Sequence, residues 1–472
     1  MKELRSILPF CLLFLTLAGC DDLDDKIYTP DNTLEVQDFI WKGLNHYYYW
    51  QESVGDLSDN RFPSNEAYTD FLENYTDPEA LFDHLLSDED RFSYITSDYR
   101  ELQNSQAGTD LSSGMEFGLV RVSGTDDVLG YVRYIIPGSN AASKPVKRGD
   151  LFNSINGIHL TIDNYYDLLY NDAISFTIGK ATLDNSGTVI DTGETVELLK
   201  LQLTENPVLI AKVLQAGDLS VGYLMYNRFT RTFENELNQA FGDLARENIQ
   251  ELIIDLRYNP GGSISTATLL ASLITGQFNG KLFTRLVYNS KVQQEISSGN
   301  SEYHLSDRID GISLNQLSLN RVYIITSSRT ASASELIING LNPYIDIIKV
   351  GDVTTGKNEA SITLYDSPSF GFDDPGLNPN HTWAMQPLVS RNQNADGFSD
   401  YTDGFQPDYL LKENLRDLGI LGETDEPLLA RTLELITSVS SKITTKYPPY
   451  PADPIDGSEN KGPASGNMLD DQ

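Results

Sequence analysis

Val322-Tyr323-Ile324-Ile325, then Thr330-Ala331-Ser332-Ala333-Ser334-Glu335, then Leu336-Ile337-Ile338 on to Leu341, is the stretch that decides the fold. The first run is β-branched and aromatic and reads as a buried strand; the last reads as a helix. Ser332 therefore sits at a strand-to-helix turn, its hydroxyl raised out of the sheet beside the unpaired N–H groups that open a helix. A nucleophile and part of an oxyanion hole can be built together at such a turn. Twenty-five residues later, Thr355-Gly356-Lys357-Asn358 sets a lysine on another loop, where it can act as the base. The pair points to serine chemistry without histidine.

Outward from that turn, residues 206–440 keep an α/β pattern. Val221-Gly222-Tyr223-Leu224 reads as a strand, Phe233 to Ala245 as a helix, and Leu252-Ile253-Ile254-Asp255-Leu256 as a buried strand. Asn259-Pro260-Gly261-Gly262 breaks the chain before a second helix, about Ser265 to Leu273. Its glycines let backbone amides approach a substrate closely. Upstream, residues 34–105 mix helical spacing with aromatic clusters and read as a small helical domain. Tyr47-Tyr48-Tyr49-Trp50 is expected to be buried aromatic packing rather than a ligand platform. Residues 113–205 change to short strands and turns: Phe117-Gly118-Leu119-Val120, Tyr131 to Ile136, then Pro137-Gly138-Ser139 and the tight-turn pair Asn156-Gly157. Residues 441–472 are rich in Pro, Gly, Ser and Asp and are expected to be a disordered tail.

The 472 residues carry 34 basic and 68 acidic side chains, a formal charge of −34. That balance argues against nucleic acid and against electrostatic attachment to anionic lipid, both of which need a basic surface. Residues 1–19 read as a targeting segment: Lys2 and Arg5, then an apolar run from Ile7 to Leu17, too short for a span of about 20 residues. Leu17-Ala18-Gly19-Cys20 resembles the lipobox of bacterial lipoproteins, with the Cys20 thiol as the point of lipid attachment. Cys11 would be removed, leaving Cys20 alone and no intramolecular disulfide. Residues 20–33 read as an acidic tether, and Asp21-Asp22-Leu23-Asp24-Asp25 resembles the acidic export signals of some surface-exposed Bacteroidetes lipoproteins. The expected location is the cell envelope, at the outer membrane or cell surface rather than the inner membrane.

Several segments together carry a family resemblance. "LIIDLRYNPGGS" (252–263), "TASASELI" (330–337) and "GDVTTGK" (351–357) occur in the order found in the C-terminal processing, or tail-specific, serine proteases. "PGSNAAS" (137–143) with "VKRGDLFNSINGIHL" (146–160) resembles a PDZ domain, and "GFQPDYLLKENL" (404–415) fits the family's ending. The resemblance spans about residues 35 to 440. It implies an α/β multidomain fold: a helical N-terminal domain, a PDZ-like β domain and a ClpP/crotonase-like α/β protease core. It makes Ser332 the nucleophile and Lys357 the general base, with the N–H groups of Ala333 and of Gly261 or Gly262 as the oxyanion hole. Phe117, Gly118 and Leu119 become the loop that holds a peptide's terminal carboxylate. The implied partner is a polypeptide read by its C-terminal tail, and no cofactor or metal is implied. The five histidines are scattered, without ligand spacing.

The chemistry is coherent on its own terms. A free lysine titrates at about 10.4 and is a poor base at neutral pH, so burial must lower it. Ser-Lys pairs are an attested serine–base arrangement. One position departs from the family: a glutamine often found four residues after the lysine is Ser361 here. Serine reaches less far, so a dyad is expected, with Ser361 as a candidate lysine-orienting partner. Ser334 is an alternative nucleophile. The same departure motivates a second reading, a catalytically silent peptide- or ligand-binding lipoprotein that keeps the fold. A third, a glycan-handling surface protein, rests only on the leader and the tyrosines.

Overall fold

The two strands read from sequence run from Glu251 to Asp255 and from Arg321 to Thr326 in the computed structural model, which describes residues 28–30, 32–184, 186–309, 311–437, 448–458 and 468–470. They pair in parallel, Asp255 opposite Ile325, at the centre of a six-stranded sheet. The sheet order is 208–216, 219–226, 251–255, 321–326, 346–351 and 409–410, and only the first pairing is antiparallel. Their near-continuous apolar sequence has a simple cause: both faces of the sheet are covered. Leu224, Leu252, Ile254, Val322 and Ile324 face one core with the helices Glu234–Arg246, Ile264–Ile274 and Ala333–Leu341. Tyr223, Met225, Ile253, Tyr323 and Ile325 face the other, against the helix Pro427–Thr437. A second sheet, antiparallel, runs 302–304, 282–288, 388–393, 359–361.

The N-terminal region contains the helices Glu35–Tyr47, Asn65–Glu73, Pro78–His84 and Tyr99–Gln106. Its aromatic residues form a core of their own, in which Tyr48 is fully buried and Tyr28, Trp41, Phe62 and Tyr68 meet ring to ring. Leu364, Met385 and Leu388 join the same core, so this region is packed onto the α/β part rather than hung from it.

Residues 113–205 build most of a seven-stranded sheet with the short helix Tyr165–Leu169 beside it. Asn156 and Gly157 both have positive φ, +52° and +79°, and close the hairpin between 151–155 and 158–159 as a primed turn requires. The outermost strand corrects an expectation. Residues 452–457 belong to the segment read as disordered, yet they pair antiparallel with 115–122, Gly457 opposite Gly118 and Asp456 opposite Leu119. A strand added at an open edge is held by main-chain hydrogen bonds and needs little help from its side chains. Cys20 and the acidic run 21–25 lie outside the described residues.

Candidate active site

Because the strands 251–255 and 321–326 are parallel neighbours, the loops that follow them emerge at the same edge, where open α/β sheets place their sites. The two loops are stitched together by Asn259. Its Nδ2 donates to Tyr226 O (2.9 Å) and its Oδ1 accepts from Gly261 N–H (2.9 Å). Its carbonyl accepts from the Ser334 hydroxyl (3.1 Å) and from Ala331 N–H (3.3 Å). Both glycines are obligatory. Gly261 (φ +115°) would set a Cβ 2.6 Å from Ser332 Cβ, and Gly262 (φ +133°) would set one 2.2 Å from Phe229 O.

Ser332 has φ +61° and ψ −119°, a backbone that non-glycine residues rarely adopt. Such strain, costing about 1–3 kcal/mol, persists only where the surroundings enforce it. The serine is fully buried, and its Oγ has no hydrogen-bond partner among the described residues. The alternative nucleophile Ser334 is already committed through its bond to Asn259.

Glu335 is the brace between the serine and the lysine. Its Oε2 accepts from Ser332 N–H (2.9 Å) and from Lys357 N–H (2.8 Å). Its Oε1 accepts from Gly356 N–H (2.7 Å) and from the Thr354 hydroxyl (2.5 Å). One carboxylate thus ties both backbones to a single oxygen. Burial raises the pKa of Glu335, and these four donors oppose the rise.

Lys357 is 1% exposed, and burial pulls its pKa down to about 7. The Glu359, Asp90 and Glu335 carboxylates work against that shift without cancelling it. Its Nζ lies 4.6 Å from the centre of the Phe92 ring, and Glu359 is paired with Arg391 (3.4 Å). Because Ser332 Oγ has no partner among the described residues, Lys357 included, the Oγ–Nζ hydrogen bond of a poised dyad is not formed in this structure.

Two other expected residues take more definite places. Of the glycines at 261 and 262, Gly261 N–H is consumed by Asn259, whereas neither Gly262 N–H nor Ala333 N–H donates a hydrogen bond among the described residues. Ser361, read as a candidate lysine-orienting residue, makes no such bond. Its buried Oγ has no hydrogen-bond partner among the described residues, and it is the Ser361 backbone that bonds to the 468–470 segment. Ser361 N–H donates to Met468 O (2.7 Å) and its carbonyl accepts from Asp470 N–H (3.0 Å).

Phe117, Gly118 and Leu119 lie apart from this cleft, on the sheet edge occupied by 452–457. Phe117 N–H donates to Ser458 Oγ (2.9 Å). The two regions are joined by a buried ionic cluster. Arg148 donates to the Tyr258 hydroxyl and to Glu413 (2.7 Å each), while Arg257 pairs with Asp255 (2.7 Å) and Glu426 (2.6 Å). Burial alone would raise Glu413, but the Arg148 and Arg257 guanidiniums override it and hold the carboxyl at about 2. Tyr258 thereby connects the β region to the Asn-Pro-Gly-Gly loop.

Residues 35–94 match the Peptidase S41 N-terminal domain and residues 220–408 match Peptidase family S41, together more than half of the chain. The chain belongs to peptidase family S41. Over 328 residues it is 25% identical to a carboxyl-terminal-processing protease of Picosynechococcus sp., covering 68% of this chain and 70% of that protein. The carboxy-terminal processing protease CtpA of Bacillus subtilis is 23% identical over 223 residues, 47% of this chain and 43% of that one. Among solved structures, an S41 protease from Bacteroides fragilis superposes with a TM-score of 0.67 at 25% identity, over 88% of this chain and all of that one. This S41 member is accordingly a serine-type peptidase related to the C-terminal processing proteases.

Sequence reading of the S41 site missed Glu335, Asn259 and Phe92. Ser332-x-x-Glu335 is a capping-box pattern, so a local signal for the glutamate existed. Asn259 was in view only as part of a turn. Phe92 reaches Lys357 across 265 positions of sequence, and no local pattern marks it.

Proposed function

We propose that this chain is a serine endopeptidase of the C-terminal processing type, with Ser332 as nucleophile, Lys357 as general base and the N–H groups of Gly262 and Ala333 as the oxyanion hole. The observation that carries the reading is the state of Lys357, a buried amine brought down to about 7 and tied through Glu335 to the backbone of a strained serine. At neutral pH a large fraction of that amine is unprotonated. Ser332 Oγ bonds to the scissile carbonyl carbon as its proton passes to Nζ, and the two backbone N–H groups donate to the carbonyl oxygen as it becomes an oxyanion. Nζ returns the proton to the amide nitrogen, the C–N bond breaks and the C-terminal fragment leaves. A water then attacks the acyl carbon, giving one proton to Nζ, which passes it to Oγ as the ester bond breaks. The missing Oγ–Nζ bond is compatible with this scheme, since catalytic hydrogen bonds often tighten only around substrate.

Recognition of a substrate's tail is proposed for the PDZ-like region at Phe117, Gly118 and Leu119. Support comes from the chain itself: an extended segment, 452–457, lies on that edge and Ser458 reaches the Phe117 amide. The lipid tether through Cys20 and a cell-envelope location complete the proposal. Cys20→Ser should abolish incorporation of a palmitate analogue, and unchanged incorporation would remove the tether.

The decisive experiment compares wild type with Ser332→Ala on an unfolded protein bearing an apolar C-terminal tail. Hydrolysis lost in the variant supports the peptidase. Equal inertness of both forms across such substrates would replace it with the silent peptide-binding reading.

A further inference from the structure

Residues 468–470 lie in the cleft as a short extended strand between the two walls of the candidate site. Leu469 N–H donates to Gly262 O (3.0 Å) and Leu469 O accepts from Ile264 N–H (3.0 Å), a parallel pairing centred on Ser263. The opposite side of the strand bonds to Ser361 through Met468 O and Asp470 N–H. Parallel ladders repeat every two residues. In a peptide of this register, the carbonyl two residues before Leu469's place therefore meets the Gly262 N–H. That amide is the proposed oxyanion donor, so Met468, Leu469 and Asp470 stand on the leaving-group side.

The three side chains meet different surroundings. Met468 is fully buried in the main core, its sulfur 3.6 Å from Asn392 Nδ2. Leu469 is only half-buried. The Asp470 carboxylate is gripped at both oxygens: Tyr288 donates to Oδ2 (2.5 Å) and Tyr303 to Oδ1 (2.6 Å). Both tyrosines are themselves buried, at 8% and 5% exposure, and come from the adjacent antiparallel strands 282–288 and 302–304. Two buried hydroxyls, each donating to a separate oxygen, suit a carboxylate better than an amide, which offers one acceptor oxygen.

We propose that Tyr288 and Tyr303 form a specificity subsite for an acidic residue two positions after a buried apolar anchor on the leaving-group side, and that Met468–Asp470 is its resident ligand. The inference rests on the proposed function only for the words "leaving-group side"; the binding preference stands apart from turnover. The resident segment then competes with any incoming peptide for the cleft, and a peptide of the pattern apolar–any–acidic competes best.

The test uses the full chain carrying Ser332→Ala, to prevent turnover, and Asp470→Ala, to weaken the resident segment. Two fluorescent peptides serve as probes: one ending in Met-Leu-Asp-Asp-Gln, the other identical except for alanine at the first aspartate. Fluorescence anisotropy should give about tenfold tighter binding of the acidic probe, and Tyr288→Phe or Tyr303→Phe should each remove most of that ratio. Equal binding of the two probes, or a preference that survives both phenylalanines, overturns the proposal. Asp470→Ala alone, assayed on casein, separates the two readings: no hydrolysis despite a tenfold binding preference would sink the peptidase and leave the subsite standing.

Discussion

The turn that holds Ser332 and the loop that holds Lys357 place their side chains by different means. Ser332 ends a loop between a central strand and a buried helix, so the sheet and the helix fix its position and force its unusual backbone. Lys357 lies in an irregular stretch, 352–358, with no helix or strand of its own. Glu335 anchors that stretch by accepting from Gly356 and Lys357, helped by a bond from Thr355 N–H to Thr330 O. Ser332 is positioned by a strand and a helix, whereas Lys357 is positioned by hydrogen bonds to an irregular stretch, with the Glu335 carboxylate accepting three of them. Lys357 should therefore be the easier of the two to displace without unfolding the protein.

The largest expected effects come from the two side chains themselves. Ser332→Ala should lower kcat/KM on the order of 10³-fold or more, and Lys357→Met by about 10²–10⁴-fold. Their stabilities should diverge. Unfolded Lys357 keeps its proton up to about 10.4, while the folded residue releases it near 7. Between those values the unfolded chain binds more protons, so this residue's contribution to stability rises with pH, and below 7 its burial penalty is fully present. Lys357→Met should stabilise the fold by about 1–3 kcal/mol at pH 6, and by less at pH 9, in urea titrations. A loss of stability at pH 6 would mean that the buried amine is better compensated than its surroundings indicate.

Glu335→Gln gives the next largest effect and tests the brace directly. An amide keeps one acceptor oxygen, and whichever way it turns its NH2 meets a backbone N–H, of Gly356 on one side or of Ser332 and Lys357 on the other, so glutamine should behave almost as badly as alanine. A roughly 10²-fold loss of kcat with the helix content unchanged is expected from displacement of the lysine. Recovery of near wild-type activity by glutamine would show that the loop holds itself.

Phe92→Ala should shift a pH profile rather than abolish activity. In the proposed dyad the neutral amine is the base, so kcat/KM should rise with pH and level off above about 7. Removing the ring lets water reach Nζ and raises the lysine's pKa toward its free value. A one-unit shift would cost about tenfold at pH 6 and little at pH 9. An unmoved midpoint would assign the low pKa to other parts of the pocket.

The same contrast explains what could be read from sequence. The serine turn and the Asn-Pro-Gly-Gly loop were legible because their signals are local: apolar strands, adjacent glycines, and a helix beginning within a few residues. The strand at 452–457 was not. Pro454 and Asp456 are poor strand formers, and they sit at a register shift on a sheet edge where a missing N–H is tolerated. Such a segment is held by its partner's backbone, which composition does not record. Phe92 was silent for a related reason, since its meaning depends wholly on a residue far along the chain.

The smallest expected effect tests whether the proposed base, Lys357, needs a third residue. Ser361 is the residue that the family resemblance makes the candidate orienting partner of Lys357. Its hydroxyl is buried without a hydrogen bond, while its backbone holds the 468–470 segment through bonds that any residue but proline can make. Ser361→Ala should therefore leave kcat/KM within about threefold. It should also gain up to about 1 kcal/mol in stability, because a buried hydroxyl without a partner retains its desolvation cost. A loss of tenfold or more, with the pH midpoint moved, would mean that the hydroxyl turns to Lys357 when substrate arrives. The Glu335 brace would then orient the lysine's backbone but not its amine, and the site would be a triad assembled on binding.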